Sequence, residues 1–189
     1  MSTLTAARRF RAAHHGQHPL VLPNVWDCAS ARVFAEAGFG ALATSSSAVA
    51  AALGYADGQR TPAAEMFAAI ARIARCVDVP VTADIEAGYG LAPAELAGRL
   101  AEAGAVGCYL EAGADCCYPI VAPLTALPTL VADCGGPVNA MCRPGGPSLA
   151  ELAATGVARI TFGGSLHQRA TEDLAATARS LHAEAQPPA

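Results

Sequence analysis

VTADIEAGYG, residues 81–90, is an apolar run that ends on two carboxylates, Asp84 and Glu86, and passes straight into a glycine loop. In an extended strand, residues i and i+2 share a face, so both acids are expected to point the same way. Like charges held that close repel unless a cation or a proton lies between them. The pair is therefore either a hard-metal site with oxygen ligands or a solvated acid pair at a strand end. Two further acids occupy comparable places: Asp57 in the loop LGYADGQ after the apolar run 41–44, and Glu111 at the close of the run 106–110. If those runs are neighbouring parallel strands, four acids converge.

Working outward, short β-like runs alternate with helical stretches. The candidate strands are 20–26, 41–44, 80–85, 106–110, 116–121, 137–142 and 160–162, and helical patterns cover 5–13, 30–37, 62–76, 93–103, 148–154 and 171–184. Such βαβα alternation implies a parallel sheet covered by helices. Ser30, Thr61 with Pro62, and Pro147 with Ser148 have the chemistry of helix starts. A helix-to-strand phrase recurs as EAGFGALA at 36, EAGAVGCYL at 102, AGADCCYPI at 112 and ATGVARITF at 154, each with a glycine suited to the left-handed position after a helix. The third arrives immediately after Glu111 with no helix before it. A parallel neighbour needs a crossover of about a dozen residues or more, so either 106–121 is one interrupted element or part of the fold is missing there.

At 189 residues, 53% hydrophobic and 15% charged, the chain can bury one sizeable core, and a single domain over 1–189 with an N-terminal and a C-terminal helix is expected. A net charge of −4 and the lack of a basic run argue against nucleic acid or an anionic membrane surface as partners. No run of about 18 uninterrupted apolar residues offers a membrane span. The N-terminal MSTLTAARRFRAAHHG lacks the apolar segment of a secretory signal, so a cytoplasmic location is expected. The seven cysteines are odd in number and lack CxxC spacing, which disfavours disulfides and zinc; they read as small buried hydrophobes.

PNVWD, TSSS, LGYADG and DIEAGYG in this order, with AGAVGCYLE and GPVNAMCRPGGPSLAELAATGVARITFGGSL, resemble the isocitrate lyase and phosphoenolpyruvate mutase superfamily over nearly the whole chain. The resemblance implies a TIM-type (β/α) barrel, here incomplete with about seven strands. It implies an enzyme dependent on Mg2+ that acts on 2-oxo acids or their enolates. It assigns Asp84 as the most direct Mg2+ ligand, with Asp57, Glu86 and Glu111 holding its waters, and Ser45, Ser46 and Ser47 as the binding stretch for the substrate carboxylate and oxo oxygen. Three departures stand out. The family's helix, Arg-Thr-Asp strand and second helix after Glu111 are absent, Ala112 replaces the following acid, and the cysteine-bearing loop of the isocitrate and methylisocitrate lyases has no counterpart.

Other residues carry paired readings. Trp26 either lines the pocket or packs the barrel rim, and Tyr89, between Gly88 and Gly90, is either a gate or a loop anchor. His14 and His15, at the end of the first helix, read as dipole-facing or solvated, and His167 as part of a turn. Arg143 follows the strand 137–142 in a Pro/Gly loop, either exposed or replacing the missing family arginine as an anion clamp. The expected function is a carbon–carbon lyase of methylisocitrate lyase-like or oxaloacetate decarboxylase-like type, working through an enolate on a small anionic substrate, in a homo-oligomer. The rivals are a non-catalytic paralogue or interaction subunit that lost the arginine segment, and a phosphonate mutase or hydrolase of the same superfamily.

Overall fold

The computed structural model describes residues 3–109, 116–120 and 122–185. Its strands are β1 (Leu20–Leu22), β2 (Asn24–Val25), β3 (Leu42–Thr44), β4 (Val81–Asp84), β5 (Gly107–Tyr109), β6 (Asn139–Met141) and β7 (Arg159–Thr161). Every pairing is parallel, in the orders β1-β7-β6 and β2-β3-β4-β5. Pro23 alone separates β1 from β2, so the two sheets form one curved surface in which β5 and β6 are the outer strands. Among the described residues these two do not pair with each other, and the TIM-type barrel is left open.

The expected strand 20–26 is thus two short ones. Proline has no N–H to donate, but the carbonyl of Pro23 accepts from Ala43 at 3.0 Å, and the run changes neighbours there, from β7 to β3. The expected strand 116–121 is not formed by its described residues. Cys117 makes only an isolated bridge to Val138, and Pro119 and Pro123 withhold donors on either side of Ile120.

Around the sheet lie α1 (Thr3–Ala13), α2 (Cys28–Glu36), α3 (Ser46–Leu53), α4 (Ala63–Arg75), α5 (Pro93–Glu102), α6 (Leu127–Asp133), α7 (Leu149–Ala154) and α8 (Ser165–Glu184). In α4, Met66, Ile70 and Ile73 recur at helical spacing and are buried in one cluster with Leu42, Val81 and Ile85. Each such side chain contributes roughly 1.5–3 kcal/mol on burial. Leu127, Val138, Leu152 and Ile160 form a second cluster under α6 and α7. Phe10 of α1 is buried with Leu22, Ala41 and Ala43, and its ring lies 3.5 Å from where a Cβ at Gly107, the first residue of β5, would stand.

Helix starts differ in detail from the sequence reading. Ser30 is not the cap of α2. Asp27 is, accepting the Ser30 amide at 2.7 Å, while the Ser30 hydroxyl returns to the Asp27 backbone. Thr61 does not cap α4; Pro62 stands at its N-cap, with no side-chain cap bond, and the helix starts at Ala63. Ser148 caps α7 in a reciprocal pair with Glu151, as its chemistry requires. α3 and α6 lie outside the helical patterns of the sequence, and α8 starts six residues earlier than 171. All seven cysteines are free thiols. None is fully buried; Cys108, in the middle of β5, and Cys134, just after α6, are exposed, and the others are half-buried.

Candidate active site

The C-terminal ends of β3 and β4 bring the serine run and the first acid together. Asp84 is the last residue of β4, and its Oδ2 accepts both the amide of Ser46, at 2.9 Å, and the Ser46 hydroxyl, at 2.8 Å. Its own amide donates to Thr44 Oγ1 at 2.9 Å. These bonds orient the carboxylate and, among the described residues, leave Oδ1 with only a 3.3 Å contact from the Glu86 amide. Ser46 is thereby tied to the acid. Ser45 caps α3, its Oγ 3.1 Å from Ser47 Oγ.

Strand geometry ends at Asp84, so i,i+2 alternation is not what places Glu86. Glu86 adopts φ 48°, and the other non-glycine residues with positive φ among those described are Gln59 and Tyr89. All three belong to one network: Gln59 donates its amide to Glu86, Tyr89 donates its hydroxyl to Glu86 Oε1 at 2.9 Å, and the Tyr89 amide donates to Gln59 Oε1 at 3.0 Å. Left-handed backbone at non-glycine residues is held only where surroundings over-determine it, and it concentrates at functional sites. Burial pushes the Tyr89 phenol well above its ordinary range. The hydrogen bond to Glu86 and the charges of Glu86, Asp84 and Asp57 push it further, so the phenol remains a donor.

Asp57 is exposed, with Oδ1 accepting the Gly58 amide at 2.9 Å, and Glu86 is buried. Glu111 lies outside the described residues. Among the described residues, no three His, Cys, Asp or Glu side chains close tightly enough to chelate one ion between them. The donor set is all oxygen, with the open Oδ1 of Asp84 in a neighbourhood that holds Glu86 and Asp57. It fits a Mg2+ ion held by one direct carboxylate, with waters between the ion and the other acids.

Beside this acid cluster a cavity of about 370 Å³ is lined by Ser47, Met141, Phe162, Ser165, His167 and Gln168. A Cβ at Gly164 would stand 3.0 Å from Ser47 Oγ, so the turn after β7 approaches the serines closely, and a side chain there would require the Ser47 hydroxyl to shift. His167, read from sequence as part of a turn, is in the first turn of α8 and meets Trp26 edge to face, the ring centres 5.0 Å apart. Trp26 thus contributes to the wall through His167. Arg143 is elsewhere. It is exposed, packs within its own turn against Gly146, and lines a separate cavity of about 70 Å³ with Pro119, Leu127 and Leu152. Among the described residues it makes no hydrogen bond or ion pair with the serines or Asp84.

Two polar residues of the quoted phrases PNVWD and ATGVARITF, given no role by the sequence reading, also matter. Buried Asn24 holds the strand ends together, Nδ2 donating to Thr44 O at 2.9 Å and Oδ1 accepting from the amides of Phe162 and Gly163. Buried Arg159, at the start of β7, lies 3.4 Å from His14 Nε2. His14 is consequently not a solvated helix end. Burial lowers its proton affinity, the Phe10 carbonyl bond opposes this, and the charges of Arg159 and His15 lower it further.

The family model described as phosphoenolpyruvate phosphomutase matches residues 10–111 and again 108–182. The two stretches meet where the third helix-to-strand phrase arrives too early. A segment of 93 residues is 37% identical to an uncharacterized protein of Mycobacterium tuberculosis, covering 49% of this chain and 36% of that protein, so the match spans little more than a third of the relative's length. Among solved structures, a Burkholderia cenocepacia protein provisionally named a phosphonomutase superposes with a TM-score of 0.85 at 32% identity, over 92% of this chain and 99% of that one. A 2,3-dimethylmalate lyase superposes with a TM-score of 0.84 over 97% of this chain and 88% of the other; at 20% identity this is a likeness of fold.

Proposed function

Because this chain belongs to the phosphoenolpyruvate phosphomutase family, within the superfamily that includes the isocitrate lyases, we propose that it is a Mg2+-dependent carbon–carbon lyase acting on a small 2-oxo or 2-hydroxy acid through an enolate. The observation that carries this reading is the state of Asp84: one oxygen pinned by both donors of Ser46, the other left open toward a neighbourhood holding Glu86 and Asp57. When bound, the ion supplies Lewis-acid stabilisation of the developing enolate oxygen. The chain's own contributions are distinct. Ser46 fixes the carboxylate that carries the ion, and Glu86 and Asp57 hold its waters. Ser45 and Ser47 receive the substrate carboxylate, and Tyr89, anchored on Glu86 between two glycines, covers the opening.

The direct test is hydrogen–deuterium exchange at C3 of pyruvate or oxaloacetate, followed by NMR with and without Mg2+. Exchange that requires Mg2+ is expected, and exchange equal to the buffer control under both conditions rejects the lyase reading. Phosphonopyruvate run in parallel separates a lyase from a phosphonate-acting enzyme.

The position of Arg143 favours one second reading, a non-catalytic paralogue. A lyase of this class needs positive charge on its anionic substrate, and Arg143 must leave its place against Gly146 to provide it. Under the lyase reading, Arg143→Ala weakens substrate affinity by about 1.5–3 kcal/mol, the range for hydrogen bonds to charged groups, and leaves Mg2+ affinity unchanged. Unchanged substrate affinity in calorimetry removes the clamp and favours the paralogue.

A homo-oligomer is proposed from two features. Strands β5 and β6 present edges that do not pair with each other among the described residues, and open edges invite pairing. On α8, Leu174 and Leu181, spaced by seven, are 69% and 60% exposed. Sedimentation is expected to show a dimer or larger species that Leu174→Glu with Leu181→Glu shifts toward monomer. A folded wild-type monomer at micromolar concentration contradicts this.

A further inference from the structure

Two thiols from distant parts of the chain meet away from the acid cluster. Cys28 is the first residue of α2 and Cys76 follows the last residue of α4. Cys28 Sγ donates to the carbonyl of Arg72 at 3.4 Å, and Cys76 Sγ lies 3.7 Å from the carbonyl of Cys28 and 3.1 Å from that of Ile73. Both side chains are half-buried, open enough for a small oxidant and enclosed enough to stay juxtaposed. Burial raises the Cys76 thiol, its hydrogen bond with the Cys28 thiol raises it further, and Arg32 opposes both. The two side chains thus lie together at the α2–α4 contact, the Cys76 sulfur within 3.7 Å of the Cys28 backbone. Nothing in the acid site uses them.

We propose that Cys28 and Cys76 form a modification site that hydrogen peroxide converts into a disulfide joining α2 to α4. In the first step the peroxide O–O bond breaks as one thiol becomes a sulfenic acid, with release of one water. In the second, the other thiol attacks that sulfur, the S–S bond forms, the S–O bond breaks, and a second water leaves. The two sulfurs lose two electrons in total, and the peroxide takes them up. The bond ties the segment that begins two residues after Trp26 to the helix that supplies Ile70 and Ile73 to the core. It also closes a long loop of the unfolded chain, so the oxidised protein resists denaturation better than the reduced one.

The experiment is exposure of the intact protein to hydrogen peroxide, quenching with N-ethylmaleimide, and mass mapping of a non-reducing digest. A cross-linked peptide pair containing Cys28 and Cys76 is expected, with the free-thiol count falling by those two and returning after dithiothreitol. Cys28→Ser and Cys76→Ser each abolish the cross-link and leave the circular dichroism spectrum unchanged. Cys117 and Cys134, a second pair of thiols whose electrostatics are linked, serve as the internal comparison. Sulfinic acid at Cys28 or Cys76 without a cross-link, or a bond formed at Cys117 and Cys134 while Cys28 and Cys76 stay reduced, overturns the proposal. Wild-type mapping alone decides the point if either variant misfolds.

Discussion

Replacing Asp84 with alanine is expected to abolish Mg2+ binding while the protein stays folded. Asp84 ends β4, and its carboxylate has Ser46 on one oxygen and only a long contact on the other. Removing it takes away the direct ligand. Glu86 is already committed to Gln59 and Tyr89, and Asp57 to Gly58, so neither is free to move into the vacated place. A Mg2+ ion dehydrates reluctantly and depends on one or two well-placed carboxylates, so losing the direct one removes most of its affinity. The cost to folding is modest, because the site is half-buried and water can replace the carboxylate at Ser46. Glu102→Ala, at the exposed end of α5, is the matched control and leaves binding intact. The measurement is isothermal titration calorimetry; equal heats for Asp84→Ala and wild type, or no binding by the intact protein, would falsify the metal assignment.

Asn24→Ala is expected to produce the largest loss of stability of any polar substitution at the rim. The side chain is 5% exposed and satisfies three backbone groups: Thr44 O at 2.9 Å, Phe162 N at 2.7 Å and Gly163 N at 3.1 Å. Alanine leaves all three without a side-chain partner. A buried group stripped of its partner costs about 1–3 kcal/mol, so a total of roughly 3–5 kcal/mol is expected, a large part of the 5–15 kcal/mol typical of a folded domain. Asn24→Asp keeps the acceptor for the two amides but loses the donor to Thr44 O, and should fall between alanine and wild type. Urea unfolding followed by circular dichroism measures both, and a loss below about 1 kcal/mol for alanine is incompatible with the role assigned here.

These two residues show different legibility. Asp84 could be read from its place at the end of an apolar run followed by glycines, because strand periodicity and turn chemistry are local properties. Asn24 stands in an equally local phrase, PNVWD, yet its partners are 20, 138 and 139 residues away. The same division separates the helix caps. Ser148 with Glu151 follows a local rule of spacing, whereas Asp27 and Ser30 both satisfy that rule and only the backbone entering α2 decides which of them is the cap. The cysteines depart from the buried expectation for a related reason: a thiol's burial depends on which face of its element the packing covers.

By itself, the sequence determined the α/β alternation, the parallel sheet with its early-arriving repeat after Glu111, the apolar face of α4, and the placing of Asp84 and the serines at strand ends. Each follows from periodicities and residue chemistry that act within one element. Tertiary structure alone decided the change of partner at Pro23, the left-handed backbone of Gln59, Glu86 and Tyr89, the placement of Arg159 against His14, the removal of Arg143 from the serines, and the meeting of Cys28 with Cys76. Those outcomes rest on contacts between residues far apart in the chain, whose free energy exists only once the sheet has curved and the helices have packed on it.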